Sequence, residues 1–256
     1  MEKKVVFITG ASSGLGKVIA DKLDSEGYVV YRGVKEQEEV RHKKDIRLDI
    51  SSDDDCAIAI EKIRKEESRI DVLINNAGYT LAGETCKFGS NEYLNILNVN
   101  SVGAFRLIKK VVPIMKKQRS GKIINITSLN GLVSLPNFGL YSSSKFALDA
   151  QGIALRYELA KDGIWVINVA PGAIENKEKS TNLPHKPARE KLWILKLLMP
   201  MISREEVSEK IEEIIKKPNP PARVILGNDA KITYFLQRFL PSCCWDKLML
   251  YVWNKK

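Results

Sequence analysis

The chain has 256 residues, 41 Lys plus Arg against 31 Asp plus Glu, a net charge of +10 and 44% hydrophobic residues. That length and balance describe one globular domain with a sizeable core, and exclude a disordered or collagen-like chain. The longest greasy run, Leu192 to Ile202, is broken by Lys196 and falls short of the ~20 apolar residues that span a bilayer.

Met1-Glu2-Lys3-Lys4 precedes only four apolar residues, too few for a secretory signal, so Lys4–Thr9 is predicted as a first strand. Further short runs rich in Val and Ile follow at Val29–Gly33, Ile46–Asp49, Val72–Asn75, Lys122–Thr127, Trp165–Ala170 and Arg223–Leu226. They are continuous rather than alternating, as in strands buried on both faces of a parallel sheet. Segments of helical period lie between them. One carries Leu107, Val111, Ile114 and Met115 on one face, with a kink expected at Pro113; another runs from about Tyr141 to Lys161 and stops at Gly163. A helix is also predicted over Glu205–Lys217. This alternation argues for a doubly wound α/β sheet of about seven strands with right-handed crossovers. The rhythm breaks after Pro171-Gly172, where an excursion of about 173–202 leaves the end of a late strand as a ligand lid would. No linker or repeat divides 1–256.

Cys56, Cys86, Cys243 and Cys244 form no CxxC pair, and His42 and His185 are the two histidines. This disfavours a metal site or a serine–histidine triad and agrees with a reduced, cytoplasmic setting. The charge is local. Arg106 to Lys122 carries +7 with no acid, Lys177 to Lys196 carries +4, and the remainder carries −1. A charge concentrated in one helix and one lid argues against nucleic acid as a partner.

After the first strand comes Thr9-Gly10-Ala11-Ser12-Ser13-Gly14-Leu15-Gly16, then a helix. Glycines at this spacing permit a tight turn and let backbone N–H groups at a helix start approach a pyrophosphate. Asn75-Asn76-Ala77-Gly78 follows the fourth strand, Asn100 lies beyond it, and Ser128 closes the fifth. Tyr141 and Lys145 stand four residues apart, on one helix face. To work as an acid or base near neutrality, Tyr141 must ionise roughly 4 kcal/mol more easily than free tyrosine, and a neighbouring ammonium favours the phenolate. Ser128 can donate to a carbonyl as its oxygen becomes negative.

The order TGxxxGxG, NNAG, Asn, Ser, YxxxK thirteen residues after the Ser, then Pro-Gly, resembles the short-chain dehydrogenase/reductase family over nearly the whole chain, and its look is nearest the bacterial branch similar to 17β-hydroxysteroid dehydrogenases. The resemblance implies a Rossmann-type domain with Ser128, Tyr141, Lys145 and Asn100 as the catalytic set. Lys145 would also hold the nicotinamide ribose, and Asn100 a water linking Lys145 to solvent. It assigns the cofactor to Gly10, Ser12, Ser13, Gly14, Leu15, Gly16, Asn76, Ala77, Gly78, Tyr141, Lys145, Pro171, Gly172 and Ile174, with Asn176 where relatives usually carry Thr, and Asp49 at the adenine. Val34 stands where NAD-binding relatives place an acid and Lys35 follows, so NADP(H) is expected, with NAD(H) as the alternative and Glu36 as the residue that argues for it. The helices after Asn100 and Tyr141 pair in the family, implying a homodimer or homotetramer.

Substrate contacts are expected from Leu129, Leu135, Pro136, Asn137 and Phe138, and from an apolar lid bearing Leu192, Trp193, Leu195 and Leu198. A bulky lipophilic ketone or alcohol, steroid-like or otherwise, suits them; the same residues also serve simply to pack the lid. The aromatic tail, about 229–256, carries Tyr234, Phe235, Phe239, Trp245, Tyr251 and Trp253 among basic residues. It is open to three readings: a cover for the cleft, a subunit contact, or peripheral contact with an anionic membrane. The expected activity is an NADP(H)-dependent carbonyl reductase or alcohol dehydrogenase. The alternatives are a 3-oxoacyl-carrier-protein reductase, whose acidic carrier a basic surface suits, and a non-catalytic nucleotide sensor, for which Tyr141 and Lys145 have no use.

Overall fold

A computed structural model describes residues 3–175 and 200–254, apart from the side chains at 38 and 252–254. Seven parallel strands lie in the order β3-β2-β1-β4-β5-β6-β7. They are β1 (Val5–Thr9), β2 (Val29–Val34), β3 (Asp45–Arg47), β4 (Val72–Asn75), β5 (Gly121–Ile126), β6 (Ile164–Pro171) and β7 (Arg223–Leu226). All seven predicted strands are present, each within a residue or two of its expected ends.

Alternate side chains of β1 explain the two layers. Val5 and Phe7 pack with Leu107, Val111 and Ile63, from helices α4 (Gly103–Gln118) and α2 (Asp53–Glu67), on one face. Val6 and Ile8 pack with Ile19, Leu23, Val207 and Ile211, from α1 (Gly14–Ser25) and α6 (Arg204–Lys216), on the other. Helix α5 (Gly139–Leu159) joins the first layer through Leu159. The helices begin where the sequence supplies caps: Ser52 accepts from the Asp55 N–H ahead of α2, and Ser203 and Glu206 form a reciprocal capping box on α6. Pro113 lies on the outer side of α4 and does not end it.

Three features go beyond the sequence prediction. Helix α3 (Ser90–Leu97) runs into α4 through a π-turn, Asn98–Val102, which holds Asn100; such wide turns recur at functional positions. The excursion after β6 starts and returns through one bridge, Ile174 to Ile202, with the Glu175 N–H donating to the Ile202 carbonyl at 3.0 Å. The aromatic tail is two helices, α7 (Asn228–Phe239) and α8 (Ser242–Asn254). Their residues Ala230, Tyr234 and Trp245 pack on Leu129, Leu132 and Val133 in a third apolar cluster. Among the described residues no helix is long and apolar enough to cross a membrane.

Candidate active site

The strand order reverses at β1, where open α/β sheets bind ligands beyond the strand carboxyl ends. A cleft of about 510 Å³ opens there, from Gly10 and Ser13 at one end to Ser128, Tyr141 and Lys145 at the other.

The glycine-rich turn is held from below. Thr9 Oγ1 accepts from the N–H groups of Asn76 and Ala77 at 3.1 and 2.9 Å, and Asn76 Nδ2 donates to the carbonyls of Thr9 and Gly10. The two loops therefore form one platform. A Cβ on Gly16 would collide with the Gly10 carbonyl oxygen, while Gly10 and Gly14 adopt φ of +64° and +57°. Gly14 has open space before it. Ser13 caps α1 without a side-chain hydrogen bond and the first turn holds no acid, so its N–H groups face the cleft uncompensated. This cradle fits the pyrophosphate of a dinucleotide. Of the residues expected to hold the cofactor, Gly10, Ser12 to Gly16, Asn76 to Gly78, Tyr141, Lys145, Pro171, Gly172 and Ile174 all line the cleft.

At the far end, Ser128 heads a short turn, Leu129–Gly131, and its Oγ accepts from the Asn130 N–H at 3.1 Å. Its hydroxyl hydrogen is shared with the neighbouring Tyr141 oxygen and can turn to a ligand carbonyl that enters beside it. The turn approaches α5 closely because Gly131 has no side chain: a Cβ there would lie 2.8 Å from the Lys145 carbonyl oxygen. The Tyr141 hydroxyl hydrogen-bonds with Ser128 and Thr80. Lys145 is buried, donates from Nζ to the Ile126 carbonyl at 2.8 Å and sits 5.9 Å from the Tyr141 ring centroid.

Burial raises the Tyr141 pKa, and the hydrogen bonds from Ser128 and Thr80 oppose that rise. Lys145 is itself pushed down to about 8 by burial. Desolvation disfavours the charged form of each group.

Asn100 stands in the π-turn, outside the cleft lining. Its Nδ2 donates to the Tyr79 carbonyl at 2.9 Å and to Ser144 Oγ at 3.0 Å, and its Oδ1 accepts from the Tyr79 N–H at 3.0 Å. The buried amide is thus engaged by protein groups and ties the NNAG loop to α5. It is a positioning residue. Gly78 makes room for it, since a Cβ there would lie 2.9 Å from Asn100 Oδ1.

Several of the expected residues stand outside the lining of this cleft. Lys35 is exposed beside Glu36 at 3.8 Å, and Asp49 accepts from the Ser51 N–H and hydroxyl; neither lines the cleft. Leu129 and Leu135 belong to the third apolar cluster rather than the cleft wall, because the turn after Ser128 directs them under α7. Phe138 meets the Tyr141 ring edge-on at 6.5 Å and also stays outside the lining. Asn176, Trp193 and Leu195 lie outside the described residues.

The sequence reading missed Tyr79, Thr80, Thr127, Glu175 and Arg204 in the lining. Tyr79 and Thr80 directly follow the NNAG loop, which was signal enough. Arg204, the first residue of α6, had none. A smaller recess of about 150 Å³ shares Ser12 with the cleft and is lined by Val34, Lys17, Arg32, Arg41 and His42, with Glu39 and Asp45. Asp21 pairs with Lys17 and Arg32, which leaves Arg41 as the cation without an ion pair among the described residues there.

Comparison with known proteins adds three findings. The short chain dehydrogenase family profile matches residues 4–186. A 3-ketodihydrosphingosine reductase of Bacteroides thetaiotaomicron is 32% identical over 98% of this chain and 97% of that protein, and a 3-oxoacyl-[acyl-carrier-protein] reductase of Thermotoga maritima is 36% identical over 74% and 81%. The crystal structure of a short chain dehydrogenase from Burkholderia cenocepacia in complex with NADP superposes with a TM-score of 0.80 and 25% identity, covering 96% of this chain and 98% of that one.

Proposed function

Because this chain belongs to the short-chain dehydrogenase/reductase family of NAD(P)-dependent oxidoreductases, we propose that it reduces a lipophilic 3-oxo compound with NADPH. The observation that carries the reading is the single cleft joining the glycine-rich cradle to Ser128, Tyr141 and Lys145. Bound NADPH supplies the hydride. The chain's own residues orient the ketone and handle the proton. Ser128 turns its hydroxyl hydrogen from Tyr141 to the carbonyl oxygen and stabilises the negative charge that develops there. Tyr141 delivers the proton. Burial raises the Tyr141 pKa, so the phenol holds the proton it is to donate. Lys145, one helical turn away, offsets the phenolate formed once the proton has left.

NADP rather than NAD is supported by Val34, which offers no acceptor to a ribose hydroxyl, and by Arg41 in the recess beside Ser12. The NADP complex of the Burkholderia relative points the same way. The substrate class rests on the two curated relatives, whose names share a 3-oxo group. Similarity over nearly the full length to the 3-ketodihydrosphingosine reductase favours a free lipid; similarity to the carrier-protein reductase keeps an acyl thioester as the second reading.

The test is NADPH oxidation by the purified chain against a panel of long-chain 3-oxo lipids, 3-oxoacyl thioesters and steroid ketones. Tyr141→Phe should lower kcat by roughly 10²–10⁴ while NADPH binding, followed by nucleotide fluorescence, stays unchanged. Unaltered turnover in Tyr141→Phe, or no turnover with any ketone, would sink the assignment.

A further inference from the structure

Helix α7 has two unlike faces. Its inner face, Ala230 and Tyr234, packs beside Leu129 to Val133 in the apolar cluster next to Ser128. Asp229 at its start accepts from the Ala173 N–H at 2.7 Å, at the point where the excursion leaves β6. Its outer face presents Ile232, Phe235 and Phe239, at i, i+3 and i+7, with Phe235 and Phe239 60% and 70% exposed and their rings 4.6 Å apart. Lys231 and Arg238, seven residues apart, stand exposed along one flank of that stripe without an ion-pair partner among the described residues. Helix α8 adds exposed Leu250 and Lys247 to this end of the molecule; its exposed acid is Asp246.

We propose that this outer face of α7 and α8 docks the protein on an anionic lipid surface. An apolar stripe with aromatic rings, flanked by long cationic side chains, is the pattern of a helix that lies in the headgroup layer. A second copy of the chain fits it less well. A two-fold contact through this face would set Lys231 and Arg238 against their own copies, with Asp246 alone to compensate. The position adds a reason. The docked face is one helix diameter, about 10 Å, from the loop that carries Ser128, so docking would bring the site close to a lipid substrate in that surface. This last step rests on the lipid-ketone reading; the docking itself does not.

Cosedimentation of the full-length chain with vesicles tests it. Phosphatidylcholine vesicles containing phosphatidylglycerol should bind the protein, pure phosphatidylcholine roughly tenfold less, and added salt should release it. Phe235→Glu with Phe239→Glu should reduce binding by roughly tenfold or more, and Lys231→Glu with Arg238→Glu should remove the preference for the anionic lipid. Both variants should keep wild-type melting curves and wild-type turnover of a short soluble ketone. Wild-type protein that stays in the supernatant, or variants that bind unchanged, would overturn the proposal. So would light scattering in which Phe235→Glu with Phe239→Glu halves the mass of an oligomer that ignores vesicles, because a second copy would then cover this face. Vesicle binding that persists where no ketone is reduced would leave docking standing and remove the lipid-reductase reading alone.

Discussion

Lys145 is held in a place that suits chemistry better than stability. Its ammonium is buried and donates a hydrogen bond to the Ile126 carbonyl. Burial lowers its pKa from 10.5 to about 8, which corresponds to roughly 3 kcal/mol against the folded state when the amine is charged in both states. The unfolded chain binds the extra proton between about pH 8 and 10.5, so this penalty is complete below pH 8 and fades as the pH rises through that window. Methionine in its place removes the penalty but leaves the carbonyl unpaired, a cost of ~1–2 kcal/mol. Lys145→Met should therefore be inactive yet about 1–2 kcal/mol more stable at pH 7 in urea unfolding, and the advantage should vanish by pH 10.5. A variant less stable than wild type at pH 7 would contradict this. Ser128, Tyr141 and Lys145 were legible because strand end, helix start and i, i+4 spacing are local facts. The ordering of effects on Tyr141 was not, because desolvation depends on what the fold places around a side chain.

Between elements, a row of polar residues crosses the sheet. Asn75 faces Asn125, Asn125 faces Asn168 and Asn168 faces Arg223 in the register of β4 to β7. Asn75 Nδ2 donates to Asn125 Oδ1 at 2.9 Å, Asn125 Nδ2 to Asn168 Oδ1 at 3.0 Å, and Asn168 Nδ2 to the Asp149 carbonyl at 2.7 Å. Arg223 pairs with the buried Asp149 carboxylate and closes the row onto α5. Gly152 lets the helix approach, since a Cβ there would strike the Asn168 amide. This row fixes the register of the strands whose ends carry Ser128 and the Pro171-Gly172 loop, and it anchors the helix that carries Tyr141 and Lys145. Asn125→Leu keeps the volume but orphans the Asn75 donor and the Asn168 acceptor, at ~1–3 kcal/mol each. It should cost about 2–5 kcal/mol, read as a lower urea midpoint at unchanged slope. An effect below 0.5 kcal/mol would show that water replaces the row. The strands themselves were readable from apolar runs. Their three asparagines were not readable as a unit, because which strands are neighbours is decided by crossovers and not by order in the chain.

For the whole molecule, the basic excess divides between internal and outward roles. Arg106 pairs with Asp53 at 2.9 Å, Lys116 with Asp162 at 3.0 Å, and Lys122 donates to the Ile214 and Ile215 carbonyls at the end of α6. Much of the +7 segment thus binds helices to one another, which a count of charges along the chain could not reveal. What remains outward on the α4–α5 layer is apolar as well as charged: Val102 and Phe105 ahead of and within α4, and Phe146 and Tyr157 on α5, are each at least 40% exposed. A patch of this kind on a monomer marks an interface, and we propose a two-fold dimer as its occupant. Such a contact needs about 1,200–2,000 Å² of buried surface, and two glutamates at its centre would bring four uncompensated carboxylates together across the axis. Phe105→Glu with Phe146→Glu should therefore halve the mass seen by light scattering at micromolar concentration, with the melting curve of the monomer still cooperative. The same variant should bind anionic vesicles with little change, since Phe235 and Phe239 lie on a different element, α7. A wild-type chain already monomeric at that concentration would refute the dimer; a variant that loses mass and vesicle binding together would show that the two faces act as one surface.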